Sequence, residues 1–567
     1  MKDSVARFFA EGGKRTKGYA PILGKVTNSV EFQRILALPR RRLDLSKVDD
    51  VTPLFAKSGE LSFWPIQSAA LIEAAKANGL FAAVGVGYGK TLIGLALPEA
   101  LESKKTVYLV KPDLKKQLER EIQTFYGKHF RLPLDRIVIV SYSELSSAKD
   151  ADVLEREMPD LIVADEAHCL KRKQSARTKR FLRYMKRNPW CRLAALSGTM
   201  TTRSILDYAH LIELVLRKNS PLPSGYYELR DWAGSLDVDP EYRTEPGVLL
   251  QFCEGEDVRE GFRRRLVETE GVVTTEEGSI GTSLVIKKQS PSVPQNVKEL
   301  IAQVRKRWSI EDEELEDASA RARVLKQIAC GFYYRWDWGD GPDLEWLEAR
   351  AAWHREVRQK LTHASEGFDS PLLLARAAER FYDWDMSGRE GKRPELAWDS
   401  AAWPAWREVK DRKPPPTVPV WKSDFLVDAA LKWAFKQKQP SIIWYEWNAL
   451  GERIAAKGGL PIYGAGTDAG ERNHKIIVAS IRAQGTGKNL QHYCHNLFTT
   501  VPPNGTAVEQ AMGRTHRPGQ KSDEVTVDWF GHTPELEEAM ARAIEDAEYM
   551  EGTTGQRQKI LYATRVW

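Results

Sequence analysis

A chain of 567 residues is too long for one hydrophobic core, so about three or four structural units are expected. Apolar residues make up 42% and charged residues 29%, and no run of about 18 apolar residues is present, which excludes a membrane-spanning helix. The net charge of +6 is mildly basic and by itself admits a polyanionic partner without requiring one.

Met1-Lys2-Asp3-Ser4 opens no apolar signal segment, which predicts a cytoplasmic protein. Residues 1–50 read as a basic, irregular leader with charge clusters at Lys14-Arg15 and Arg40-Arg41-Arg42. From 51 to 220, short apolar strands alternate with helical stretches: Leu80–Val84, Thr106–Val110, Arg136–Val140, Leu161–Ala164 and Leu193–Leu196. That alternation predicts a parallel sheet wrapped by helices. Residues 221–413 read as a mostly helical, charged insertion. Ten of the 18 tryptophans fall between Trp308 and Trp421, where packing inside a helical subdomain is the expected role and base stacking the rival. Pro414-Pro415-Pro416 and Pro419 mark a connector, after which strand–helix alternation resumes over 414–567, at Ser441–Tyr445, Lys475–Ala479, Leu497–Thr500 and Val525–Phe530. Cys169, Cys191, Cys253, Cys330 and Cys494 lie far apart with no CxxC or Cys/His spacing, which argues against zinc and for a reducing compartment.

Gly85-Val86-Gly87-Tyr88-Gly89-Lys90-Thr91 follows an apolar strand and opens a helix. Glycines let backbone N–H groups turn inward around phosphate oxygens, and the helix N-terminus adds partial positive charge. Lys90 is the expected contact to the β- and γ-phosphates and Thr91 the expected magnesium ligand, with Gly85, Gly87 and Gly89 forming the cradle. In strict register Val84 stands where the first glycine belongs.

Asp165-Glu166-Ala167-His168 ends the strand Leu161–Ala164. An acid pair at the tip of a buried strand is costly unless it meets a cation. Asp165 is the expected metal ligand and Glu166 the base for an attacking water. Gly485-Thr486-Gly487-Lys488-Asn489 looks like a second phosphate loop, but Asn489 lacks the hydroxyl a metal needs, so it is rejected as one.

Gln510-Ala511-Met512-Gly513-Arg514-Thr515-His516-Arg517-Pro518-Gly519-Gln520 is the most specific string in the chain. Arg514 and Arg517 are three apart and share a helix face, suited to presenting two guanidinium groups to one phosphate from across a cleft. With Gln510, they are the expected catalytic partners of Lys90, Asp165 and Glu166.

These strings together resemble the Swi/Snf-type branch of helicase superfamily two, in compact bacterial or bacteriophage form. The last motif of that branch, QAxxRxHRxGQ, is close to Gln510–Gln520. Trp64-Pro65-Ile66-Gln67 resembles the adenine-reading motif, with Gln67 the implied base contact. Lys111-Pro112, Ser141-Tyr142, Leu196-Ser197-Gly198-Thr199, Ser441–Tyr445 and Ala483–Leu490 resemble the intervening motifs in order. Trp64 stands where that branch often has arginine, and no bromodomain, chromodomain or zinc module is visible.

The resemblance implies two RecA-like parallel-sheet lobes with a helical insertion between them, and ATP with Mg2+ as cofactors. It implies track contacts at Lys111, Ser141, Tyr142, Gly485 and Thr486, with Ser197 and Thr199 coupling track to nucleotide. The expected activity is a DNA-dependent ATPase translocating on double-stranded DNA, independently of sequence and with little unwinding. A strand-separating DNA or RNA helicase of the DEAH type, and a motor subunit of a nuclease or modification complex, stand as alternatives.

Overall fold

A computed structural model describes residues 22–567, apart from 58–60, 148, 202, 276–281, 311–312, 316–317, 340, 363–370, 395, 413–414, 471–473, 486 and 503. Lys14-Arg15 of the basic leader and Pro414 of the connector therefore lie outside the described residues, as does Thr486. None of the described helices is long and apolar enough to cross a membrane.

The first lobe is a six-stranded sheet of β1 (Leu80–Ala83), β2 (Thr106–Val110), β3 (Ile137–Ser141), β4 (Leu161–Asp165), β5 (Arg192–Ser197) and β6 (Val272–Thr274), ordered β3-β2-β4-β5-β1-β6. Every pairing is parallel. Both faces are covered, so β1, β2 and β4 are buried along their whole length, which is why they read as unbroken apolar runs. Helices α1 (Pro65–Ala77), α2 (Lys90–Ala100) and α3 (Pro112–Glu121) connect and cover these strands. The register sets Ala83 beside Ser197 and Thr274, and Asp165 beside Leu196. The carboxyl ends of four strands thus share one edge, where open α/β sheets hold their ligands.

Two features depart from a helical insertion running over 221–413. Helices α4 (Tyr226–Leu236) and α5 (Val258–Val267) bury Trp232, Leu236, Phe262 and Leu266 in the first lobe's own core, and β6 closes that lobe's sheet. A seven-residue strand, β7 (Ser283–Gln289), belongs to the second lobe. β6 has only three residues, and β7 ends in Lys287-Lys288-Gln289, so neither carries a strand-length apolar pattern.

Inserted in the second lobe's sequence after β7, α6 (Leu344–Thr362), α7 (Pro371–Met386) and α8 (Trp403–Val409) form a tryptophan-cored subdomain. Trp353 meets Trp403 and Trp398 at 4.9 and 5.5 Å between ring centroids, and Trp346 meets Trp336 and Trp406 at 5.6 and 6.3 Å. Trp346, Trp353, Trp398 and Trp403 are buried, so these four indoles pack a core. The strand Thr417–Trp421 pairs antiparallel with Phe332–Trp336, and Pro419 is tolerated there because the ribbon has only two strands.

The second lobe adds β8 (Ser441–Tyr445), β9 (Ile462–Tyr463), β10 (Ile476–Ser480), β11 (His495–Phe498), β12 (Glu524–Phe530) and β13 (Thr564–Val566) in the all-parallel order β9-β10-β8-β11-β12-β7-β13. Its helices α9 (Gly505–Thr515), α10 (Pro534–Thr554) and α11 (Lys559–Tyr562) turn toward the first lobe. The Tyr549 hydroxyl on α10 donates to Asp237 Oδ1 at 2.7 Å, and Arg203 Nε donates to Asp546 Oδ1 at 2.8 Å. The Arg259 guanidinium lies 5.3 Å from the Tyr549 ring centroid. α10 therefore braces the two lobes. The fold is α/β, with two parallel sheets of RecA-like layout.

Candidate active site

The loop after β1 is shaped by glycines in the left-handed region, Gly87 at φ +96° and Gly89 at φ +73°. A Cβ on Gly89 would run into the Gln67 amide. Gln67 is buried; its Oε1 accepts from Trp64 N at 2.9 Å and its Nε2 donates to Tyr88 O at 3.0 Å. The glutamine expected to read adenine thus also caps its own helix and clamps the loop. Gly85 N donates to Thr275 Oγ1 at 3.1 Å, a contact from just past β6. α2 begins at Lys90; Leu92 N donates to the Gly89 carbonyl at 3.0 Å, which leaves the Lys90 and Thr91 N–H groups at the open end of the helix. Lys90 Nζ donates to Val84 O at 3.0 Å and Gly85 O at 3.2 Å. Burial pulls the Lys90 ammonium below its ordinary range, opposed by the charges of Glu166 and Asp165.

Across from the loop, Asp165 ends β4. Glu166 N and the Tyr108 hydroxyl donate to its carboxylate at 3.0 and 3.2 Å. Burial, then the neighbouring Glu166, push the Asp165 carboxyl up to about 6, while Lys90 opposes. Glu166 adopts φ +56°, a conformation unusual for a residue with a Cβ and common where function requires it. Its Oε2 lies 3.2 Å from His168 Nδ1 and accepts from Ser197 Oγ at 3.4 Å. Ser197 Oγ is 2.9 Å from His168 Nδ1 and accepts from Thr199 N at 3.0 Å. Burial works against the ionised form of Glu166, yet the His168 hydrogen bond and the Lys90 charge hold it well below the usual carboxylate range. Ser197, expected with Thr199 to couple the sites, therefore touches Glu166 directly, and both hydroxyls also meet His168 Nδ1.

The second lobe closes the site with α9 and the turn after it. A Cβ on Gly513 would sit 3.0 Å from Val86 of the loop, and one on Gly87 would sit 3.2 Å from Pro518 and 3.5 Å from Arg517 Cβ. Arg514 Nε donates to Gly485 O and Gln510 O, both at 3.2 Å. Burial lowers the Arg514 guanidinium to about 10, with the Glu166 charge pulling the other way. Arg517 Nε and Gln510 Nε2 are buried with no hydrogen-bond partner among the described residues. A buried donor without an acceptor costs about 1–3 kcal/mol, so an anionic or polar ligand at these two would be favoured. Cationic donors, a glycine cradle and an acid pair fit a nucleotide triphosphate with its metal, Thr91 and Asp165 being the placed candidates for the metal.

Sequence reasoning missed Tyr126, which lies on a π-helical turn over Ile122–Tyr126 after α3. Its hydroxyl hydrogen-bonds Thr91, and burial pushes it up to about 12, with Glu121 adding and Arg517 opposing. No motif marks it; a wide helical turn, often found at functional sites, is the only signal, and it is structural.

Several expected track contacts have other partners. Tyr142 is fully buried, and its hydroxyl donates to the Asp165 carbonyl at 2.9 Å, so its side chain supports the acid pair. Ser141 is buried, and its Oγ accepts from Glu144 N at 3.2 Å as the cap of the following turn. Gly485 N donates to Ile481 O at 2.9 Å and its carbonyl receives Arg514, so both backbone groups are engaged. Lys111 is partly exposed, with its charge acting on Glu166 and His168. Lys488 Nζ binds Asp468 Oδ2 at 2.8 Å, which spends the lysine of the false second phosphate loop.

Residues 63–201 match the family described as Type III restriction enzyme, res subunit. No curated protein matches the chain. The matched segment runs from just before α1 to just past β5, and so contains Gln67, the phosphate loop, the acid pair, Ser197 and Thr199. By that match the protein carries a helicase-like ATPase domain and falls in helicase superfamily two in its broad sense.

Proposed function

We propose that the protein is a DNA-dependent ATPase that translocates on double-stranded DNA with little unwinding. The observation that carries this reading is the meeting of the two lobes at the phosphate loop, where Arg517 and Pro518 lie over Gly87 and Gly513 lies against Val86. In it, Gly85, Gly87, Gly89 and Lys90 hold the phosphates, and Gln67 serves the base. Thr91 and Asp165 hold Mg2+, which when bound screens phosphate charge. Glu166 takes the proton of a water attacking the γ-phosphorus as the bond to the β-phosphate oxygen breaks. Gln510, Arg514 and Arg517 stabilise charge on the transferring group only when the lobes are closed. Loss of the γ-phosphate removes the bridge between lobes, and Ser197 and Thr199 pass that change on through His168. Of the expected track contacts among the described residues, Lys111 is the one that is partly exposed. The preference for duplex DNA, and the Swi/Snf-type branch itself, rest on the order of motifs up to Gln510–Gln520.

A triplex-displacement assay beside a duplex-unwinding assay tests the reading. ATP-dependent release of a third strand without separation of the duplex is expected; unwinding in place of release would make the protein a strand-separating helicase. The description of the family matched over 63–201 favours a second reading, a motor subunit of a modification or nuclease assembly. Stable copurification with a nuclease or methyltransferase would support it.

A further inference from the structure

The last helix of the chain delivers a cation to this site that no motif announces. α11 is anchored by Glu509, whose two carboxylate oxygens accept Lys559 N at 3.0 Å and Ile560 N at 3.4 Å. The segment before it is fixed as well: Arg557 N donates to Thr275 O at 3.2 Å, and Thr275 holds Gly85 of the phosphate loop. From that base the Lys559 side chain extends to the place where α9 touches the loop. A Cβ on Gly513 would lie 3.0 Å from Val86 and 3.6 Å from Lys559 Cε.

The Lys559 charge is felt by Lys90, Arg514 and Arg517, so four cations converge here. Asp165 and Glu166 face Lys90, and Glu509 faces Lys559 but spends both oxygens on backbone N–H groups. The Lys559 ammonium has no hydrogen bond or ion pair of its own among the described residues. Half-buried beside a phosphate cradle, such a cation suits an anionic ligand. Lys559 stands with the two arginines on the second lobe, beside Val86 of the phosphate loop.

We infer that Lys559 contacts the γ-phosphate of the bound nucleotide, making the C-terminal segment part of the ATP site. The inference rests on the ATP-site reading above. Its consequence is discrimination: a γ-phosphate contact is present with a triphosphate and absent with a diphosphate.

Equilibrium binding of fluorescent ATP and ADP analogues to the full chain tests it, with Lys559→Gln, Lys559→Arg and Lys90→Ala compared to the parent. Lys559→Gln is expected to weaken ATP binding about 10-fold or more while leaving ADP within about 2-fold, as for loss of one charge-assisted hydrogen bond. Lys559→Arg is expected to recover most of that loss. Equal affinity of Lys559→Gln and parent for ATP, with binding lost in Lys90→Ala, would overturn the inference and leave the ATP site standing. An equal loss for ATP and ADP, with a lowered melting temperature, would make Lys559 structural and overturn it too. A parent protein that binds neither nucleotide would instead remove the site reading itself.

Discussion

Gly89→Ala is the substitution whose cost follows most directly from the geometry. At φ +73° an alanine pays about 1–2 kcal/mol that glycine does not. The new methyl would also displace the Gln67 amide, breaking its 3.0 Å bond to Tyr88 O, worth about 0.5–1.5 kcal/mol. Together these disfavour the cradle by about 1.5–3.5 kcal/mol. If only the cradled form binds phosphate, apparent ATP affinity falls about 10- to 300-fold. Titration with a fluorescent ATP analogue measures this. Gly459→Ala is the control: it has φ +61° and no atom within 4 Å of the added Cβ, so it pays the backbone cost far from the site. Gly459→Ala should bind ATP like the parent. Parent-like ATP affinity in Gly89→Ala would refute the idea that Gln67 and the left-handed glycine preform the cradle.

Glu166→Gln should retain ATP binding and lose hydrolysis, read by nucleotide binding beside single-turnover phosphate release; preserved turnover would contradict the base role. Tyr142→Phe removes a buried hydroxyl that holds the Asp165 carbonyl. It should lower the ATPase rate several-fold and leave DNA affinity within about 2-fold, whereas a selective loss of DNA affinity would restore the track-contact expectation. Asp237 is pushed up to about 6, chiefly by burial, against hydrogen bonds from Ser204, Tyr549 and Ile205. An acid raised on folding costs stability as pH climbs from its unfolded value toward its folded one. Asp237→Asn should therefore gain stability over the parent above pH 6, by on the order of 3 kcal/mol at most, and lose that advantage below about pH 4. Denaturation midpoints at pH 4, 6 and 8 read the difference, and a pH-independent gap would exclude this cause.

Much of the candidate site's first-lobe face was legible because its strings are local in sequence. A glycine loop needs a strand before it and a helix after it, and an acid pair needs an apolar strand to end on. Both occur as contiguous strings, at Gly85–Thr91 and Leu161–Glu166. β2 and β8 were readable to the residue because both faces of each are covered. What was not legible depends on distant pairings. β6 and β7 join different sheets although only eight residues separate Thr274 from Ser283, and nothing in their apolar content announces the crossing. Tyr142 follows a strand whose end looks like a surface loop, yet its ring is buried under Asp165. Tyr126 and Lys559 reach the site from a π-helical turn and from the chain's last helix, positions that only the folded chain brings near Thr91 and Val86.

In the proposed function both lobes supply the ATPase and nucleic acid drives it. Steady-state hydrolysis by the parent and by Arg517→Ala, each with duplex DNA, single-stranded DNA, RNA or no polymer, tests it most directly. Stimulation greatest with duplex DNA and a loss of about 10³-fold in Arg517→Ala are expected. Hydrolysis indifferent to every polymer, or an Arg517→Ala rate within a few-fold of the parent, would contradict it.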